Sequence, residues 1–193
     1  MKTFELKGTK REGTGKKAAK AFRKEGLVPC VLYGGEEVVH FTITKDGVRK
    51  LIYTPEVYIV NLDIDGKTYT TILKATQFHP VSDALLHADF FQITGDKPVV
   101  MLIPVRLEGL AEGVKAGGKL SLEMRKLKVK GLYKDFPENL LINIEDLGLG
   151  KTVQVGQLEF PNLELLNSKD NVVAAVKLTR AARGLAAKGA ENK

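Results

Sequence analysis

The sequence has no tryptophan, one cysteine and three histidines among its 193 residues. A lone thiol, Cys30, forms no internal disulfide and builds no structural zinc site by itself, which excludes a disulfide scaffold and fits a reducing compartment. Long apolar runs are also missing. The longest, Val99 to Val105, is seven residues and contains Pro104, far short of the roughly 20 that span a bilayer as a helix. No hydrophobic signal region follows Met1-Lys2-Thr3-Phe4-Glu5-Leu6-Lys7, so the expected location is cytoplasmic, without a membrane partner. Neither a Ser-His-Asp nor a Cys-His arrangement has a distinguishing local signature, and no paired carboxylates mark a cleft. No catalytic residue, cofactor or bound metal is expected.

What the chain does have is charge, and it is local. Thirty Lys and Arg stand against 23 Asp and Glu, a net +7. Residues 1 to 24 hold nine Lys or Arg against Glu5 and Glu12, which is +7 in that segment alone. Residues 25 to 94 are acidic, with five basic and nine acidic side chains. A second basic run spans 115 to 134, where Lys115, Lys119, Arg125, Lys126, Lys128, Lys130 and Lys134 face only Glu123. Concentrated positive charge favours an anionic partner.

Period-2 alternation with β-branched and aromatic residues, broken by Gly, Asn, Asp and Pro, predicts a mainly β protein. Strands are expected at 3–10, 28–33, 38–43, 57–64, 67–77 and 85–93. Asp65-Gly66 supplies the turn of a type I′ hairpin. Two short helices are expected, at 15–25, stopped by Gly26, and at 45–52, capped by Thr44 or Asp46 and ended before Pro55. The polar stretch Thr94-Gly95-Asp96-Lys97-Pro98 separates a first domain, 1–94, from a second β domain, 95–180. Strands there are expected at 99–107, 120–123, 127–132, 140–144, 151–155 and 172–178. Residues 181–193, small and charged, read as a flexible tail.

The first helix carries the clearest signal. Lys16, Lys17, Lys20, Arg23 and Lys24 fall within an arc of about 120°, with Ala18 and Phe22 on the other side. Such a stripe suits phosphate, and Gly15 leaves the helix start open; the alternative is a solvated basic face. Gly13-Thr14-Gly15-Lys16-Lys17 is no nucleotide-phosphate loop, because Lys10 and Lys17 occupy the positions of its first Gly and its Ser or Thr. His87-Ala88-Asp89 lies on a strand, where residues two apart share a face. The pair suits RNA contact, mutual satisfaction, or part of a metal site in a β-barrel enzyme. For the last, an iron triad needs a further His after the pair, and His40 and His79 both precede it. Tyr33, before Gly34-Gly35, is either a base or ribose contact or an ordinary core residue. Cys30 reads as a small buried hydrophobe.

Taken in series, Lys10-Arg11, Thr14-Gly15-Lys16, Ala18-Ala19-Lys20, Phe22-Arg23-Lys24-Glu25-Gly26, Val28-Pro29, Val31-Leu32-Tyr33-Gly34, His79-Pro80 and His87-Ala88-Asp89-Phe90 resemble the CTC (general stress protein) family of bacterial 5S-rRNA-binding large-subunit ribosomal proteins. The remainder, about 95 to 180, looks like the extra β domain of its two-domain members. The resemblance implies an N-terminal small β-barrel with short helices that docks on the irregular loop E helix of 5S rRNA and reads a widened minor groove. It implies phosphate and groove contacts at Arg11, Lys16, Lys20 and Arg23, a ribose or phosphate contact at Tyr33, and groove reading by His87 and Asp89. Gln77 sits where the family has a polar residue near RNA. The full candidate set is Lys10, Arg11, Lys16, Lys17, Lys20, Arg23, Lys24, Tyr33, Lys74, Gln77, His79, His87 and Asp89. Departures are Lys17 in place of a usual Gly, Ala21 in place of a basic residue, and Phe78 where Arg is common. The expected partners are 5S rRNA and the large ribosomal subunit, with rRNA or a neighbouring protein for the second domain. A stress-related interaction protein acting off the ribosome is the remaining alternative.

Overall fold

The computed structural model describes residues 1–95 and 97–180. The expected tail at 181–193 lies outside the described residues. The chain forms two compact units, Met1–Val99 together with Leu132–Lys134, and Val100–Gly131 together with the chain from Asp135.

The first unit contains β1 (Lys2–Lys10), α1 (Lys16–Lys24), β2 (Leu27–Tyr33), β3 (Val39–Thr44), α2 (Lys45–Ile52), β4 (Tyr58–Ile64), β5 (Lys67–Phe78) and β6 (Leu85–Gln92). Its strands close into a barrel in the order β1-β3-β2-β6-β5-β4. Closure falls to β1, which pairs antiparallel with β3 and parallel with β4; β2 and β6 are also parallel. Strand ends lie within a residue or two of the alternation in the sequence. Asp65 and Gly66 take φ of 49° and 87°, the left-handed pair that a type I′ turn requires.

Alternation determines which side chains fill the barrel. Val28, Cys30 and Leu32 on β2, Phe41 and Ile43 on β3, Val60, Leu62 and Ile64 on β4, and Ala88 and Phe90 on β6 are all buried. The Phe41 and Phe90 rings lie 5.6 Å apart at 53°. Truncating either to Ala removes about 3–5 kcal/mol. Helix α2 adds Val48 and Leu51 to the same core. Burial pushes the Cys30 thiol up to about 12, so it stays protonated at neutral pH, as a small apolar residue. His87 and Asp89, between these positions on β6, face outward and are half-buried.

The second unit has β7 (Val99–Glu108), α3 (Glu112–Lys115), β8 (Lys119–Leu122), β9 (Lys126–Gly131), β10 (Leu140–Asn143), β11 (Thr152–Gln154), a 3₁₀ turn at Val155–Gln157, β12 (Glu164–Leu165) and β13 (Val172–Lys177). They form a four-stranded sheet, β10-β7-β9-β12, and a three-stranded one, β11-β13-β8. The molecule is mainly β, as its alternation predicts. Helix α3, the 3₁₀ turn and β12 are additions to the sequence reading, each too short to show a period.

Candidate nucleic-acid interface

Helix α1 conflicts with its own electrostatics. A helix N-terminus carries partial positive charge and favours an acid or a side-chain cap. Here the N-cap is Gly15, no side chain caps it, no acid occupies the first turn, and the first two residues are Lys16 and Lys17. A Cβ at Gly15 would meet nothing within 4 Å, so the approach is open. Lys16, Lys17, Lys20, Arg23 and Lys24 are all exposed. Among the described residues none of them joins an ion pair. An anion at this helix start would relieve both the uncapped N–H groups and the crowding of cations.

The helix is held lightly. It has no fully buried residue; Phe22 lines an open groove of about 470 Å³ with Leu27, Ile43 and the cations Lys7, Lys10 and Arg11. A polar tether completes the anchoring: Arg23 Nε donates to the Leu86 carbonyl at 3.1 Å. Leu86 lies at a ladder irregularity, since Gln77 opposes His87 while Phe78 opposes Leu85. The tether therefore places the cationic helix directly beside the strand that carries His87 and Asp89.

On the outer face of that strand His87 Nδ1 lies 2.7 Å from Asp89 Oδ1. The ring N–H is not aimed along that line, so the shielded Nδ1 makes no hydrogen bond of good geometry; we read the pair as a close polar contact open to realignment. Gln77 stands opposite His87 across the β5–β6 ladder and is exposed, which extends the polar row. Tyr33 on β2 is next along. Its ring leans edge-on against Phe91 at 5.6 Å, and its phenol is pushed up, first by burial and then by the Asp89 carboxylate. It therefore remains a hydrogen-bond donor. Gly34 follows at φ 95°, and a Cβ there would come within 2.6 Å of the Phe91 ring, so the turn depends on glycine to keep Tyr33 supported.

The other candidates divide. Lys10 ends β1, exposed, with its backbone N–H on Asp65. Arg11 donates from Nη1 to the Gly13 carbonyl at 3.3 Å. Its Nε is shielded and has no hydrogen-bond partner among the described residues, an unmet donor in the segment leading to α1. Lys74 is exposed in a bulge of β5, between Leu73 and Ala75, which pair with Phe90 and Asp89. His79 is exposed too, but its Nδ1 accepts the backbone N–H groups of Val81 and Ser82 at 3.3 and 3.2 Å; it organises its own turn and offers only Nε2 outward. Two parts of the arrangement escaped the sequence reading. The Leu86 carbonyl is a backbone acceptor with no side-chain signal, and Phe91 looks like any outward aromatic until Tyr33 is seen against it. Among the described residues no three His, Cys, Asp or Glu side chains cluster as metal ligands, and no helix is long and apolar enough to cross a membrane.

The closed barrel thus carries an open cationic helix beside a polar row, and comparison with known proteins places the chain among ribosomal proteins. Residues 6–90 match the Ribosomal L25p family, and residues 98–180 match the C-terminal domain of ribosomal protein TL5. The chain is 67% identical over 184 residues to the large ribosomal subunit protein bL25 of Azobacteroides pseudotrichonymphae genomovar. CFP2, covering 95% of this chain and 97% of that one. It is 62% identical over 192 residues to bL25 of Bacteroides fragilis strain YCH46, covering 97% and 98%. The chain belongs to the Ribosomal L25p family, and it is a structural, non-enzymatic ribosomal protein.

Proposed function

We propose that this protein is a constituent of the large ribosomal subunit in the bacterial cytoplasm, where its first unit binds 5S rRNA at the irregular loop E helix and stabilises that conformation. The observation that carries the reading is the Arg23–Leu86 tether, which puts the phosphate-binding cations of α1 and the polar row of β6 on one surface. Regular A-form RNA presents a shallow minor groove and hides its major groove, so a protein that needs a particular RNA uses cations for position and a few polar side chains for local shape. Lys16, Lys20 and Arg23 supply the first. Tyr33, Gln77, His87 and Asp89 supply the second. The family resemblance and the large-subunit names of the relatives support the same assignment.

The test is a titration of the full chain with 5S rRNA and with an unrelated RNA duplex over a salt series. About four phosphate contacts give a log–log slope of magnitude roughly 3 to 4, with tighter binding to 5S rRNA at every salt concentration. Equal affinity for both RNAs would sink the specific-docking reading.

A further inference from the structure

A second open groove begins close to the end of α1. The Lys45 N–H, at the start of α2, donates to the Gly26 carbonyl at 3.1 Å, so the end of one helix abuts the beginning of the next. There Lys45 and Arg49, with Ile52 and Tyr53, line an open groove of about 600 Å³ between α2 and the segment Ser82–Leu85. Asp46 and Asp83 line it as well, so it is mixed in charge and unlike the uniformly basic face of α1.

At the groove's end lies an aromatic pair that the fold does not need as core. Tyr53 is 62% exposed and Phe78 is 38% exposed, with ring centroids 6.3 Å apart at 54°. The Tyr53 hydroxyl donates to the Asp83 carbonyl at 3.3 Å, which fixes the ring's edge and leaves its face open. Val81, 87% exposed, sits on the same turn. Phe78 follows Gln77 on β5 and pairs with Leu85, next to the Leu86 whose carbonyl holds Arg23, so the rings lie beside the α1 tether and off the outward row of Gln77 and His87. Two exposed rings, held in place and flanked by Lys45 and Arg49, form a stacking platform. Every nucleobase has a π face, and unpaired bases beside a helix are what such platforms take.

We infer that Tyr53, backed by Phe78, stacks on an unpaired nucleobase of the 5S rRNA next to the helix that α1 grips, with Arg49 and Lys45 facing the adjoining phosphates. The inference rests on the 5S rRNA reading above and extends its footprint along α2. It commits to RNA because the exposed apolar surface is aromatic and lies beside the end of α1, joined to it by the Lys45–Gly26 and Arg23–Leu86 hydrogen bonds; a peptide partner is the outcome that would refute it.

The experiment measures 5S rRNA binding by full-length Tyr53→Ala, Tyr53→Phe and Arg23→Ala. Tyr53→Ala should weaken binding by roughly 5- to 150-fold, the usual loss for one stacked base, with an unchanged salt slope because stacking releases no counterions. Tyr53→Phe should retain affinity. Arg23→Ala should weaken binding and flatten the slope. Parent-like binding by Tyr53→Ala, with Arg23→Ala impaired, overturns the platform and leaves the α1 interface standing; parent-like binding by both overturns the two together. Ultraviolet crosslinking of the unmodified complex provides a readout independent of folding. Adducts on Tyr53 or Phe78 support the platform, and adducts confined to α1 and β6 refute it.

Discussion

Two stretches of this chain have nearly the same excess of positive charge, +7 in residues 1 to 24 and +6 in residues 115 to 134, yet the fold treats them in opposite ways. The first is gathered. Five of its cations occupy one exposed helix without an ion-pair partner among the described residues, and two of them, Lys16 and Lys17, sit at the helix end that electrostatics would assign to an acid. The second is dispersed. Lys119 lies on β8 opposite Lys177 in the three-stranded sheet, whereas Lys126, Lys128 and Lys130 lie on β9 in the four-stranded sheet. Lys130 is bound to Glu164 at 2.9 Å, and Lys177 is bound to Glu123 at 2.6 Å. On the proposed function, the run that a helix collects is the interface, and the run divided between two sheets serves mainly solubility and surface pairing.

The comparison is most directly broken by removing equal charge from each region. Replacing Lys16, Lys20 and Arg23 together by Ala should reduce 5S rRNA affinity on the order of a hundredfold near 0.1 M salt and lower the slope magnitude by about 2 to 3. Replacing Lys119, Lys126 and Lys128 together should change affinity less than about threefold. Equal losses would erase the distinction between the two regions. A sharper test separates grip from reading within the first unit. Asp89→Asn should lower the preference for 5S rRNA over an unrelated duplex by about tenfold with an unaltered salt slope, because it removes a polar groove contact and no phosphate contact; a change in slope would mean the roles of Asp89 and Arg23 are interchanged.

The smallest effect tests the pairing in the second unit. Lys177 first and Ser121 second hold the Glu123 carboxyl below its ordinary value. A lowered carboxylate contributes stability that is present above the unfolded value of 4.5 and disappears as pH falls through the folded one. Lys177→Ala should therefore make the acid side of the unfolding profile slightly less steep and leave RNA binding unchanged, measured by thermal melting between pH 7 and pH 3. The difference should be small, since both groups are exposed.

Much of the barrel was legible because its rules are local. Val28, Cys30 and Leu32 alternate with Val31 and Tyr33, Ala88 and Phe90 alternate with His87 and Asp89, and Asp65-Gly66 admits one kind of turn. The cationic stripe was legible for the same reason, since a helix of known period fixes the face on which Lys16, Lys20 and Arg23 fall. What escaped were short or irregular pieces. Helix α3 spans four residues and β12 two, below the length at which a period emerges. His79, taken from its motif as an outward contact, has Nδ1 committed to the backbone of its own turn, and motif spacing cannot show that.

The sequence by itself determined that this protein is mainly β, that its first 24 residues carry a net charge of +7, and that His87 and Asp89 share one face. Those follow from periodicity and composition, which act between near neighbours. Only the tertiary structure decided that Arg23 reaches the carbonyl of Leu86, 63 residues away, that Gln77 stands opposite His87, that Tyr53 meets Phe78, and that the later basic run is divided between two sheets. Each of these depends on strand order and ladder register, which are settled by how the whole barrel or sheet closes over its core; no local pattern of residues specifies them.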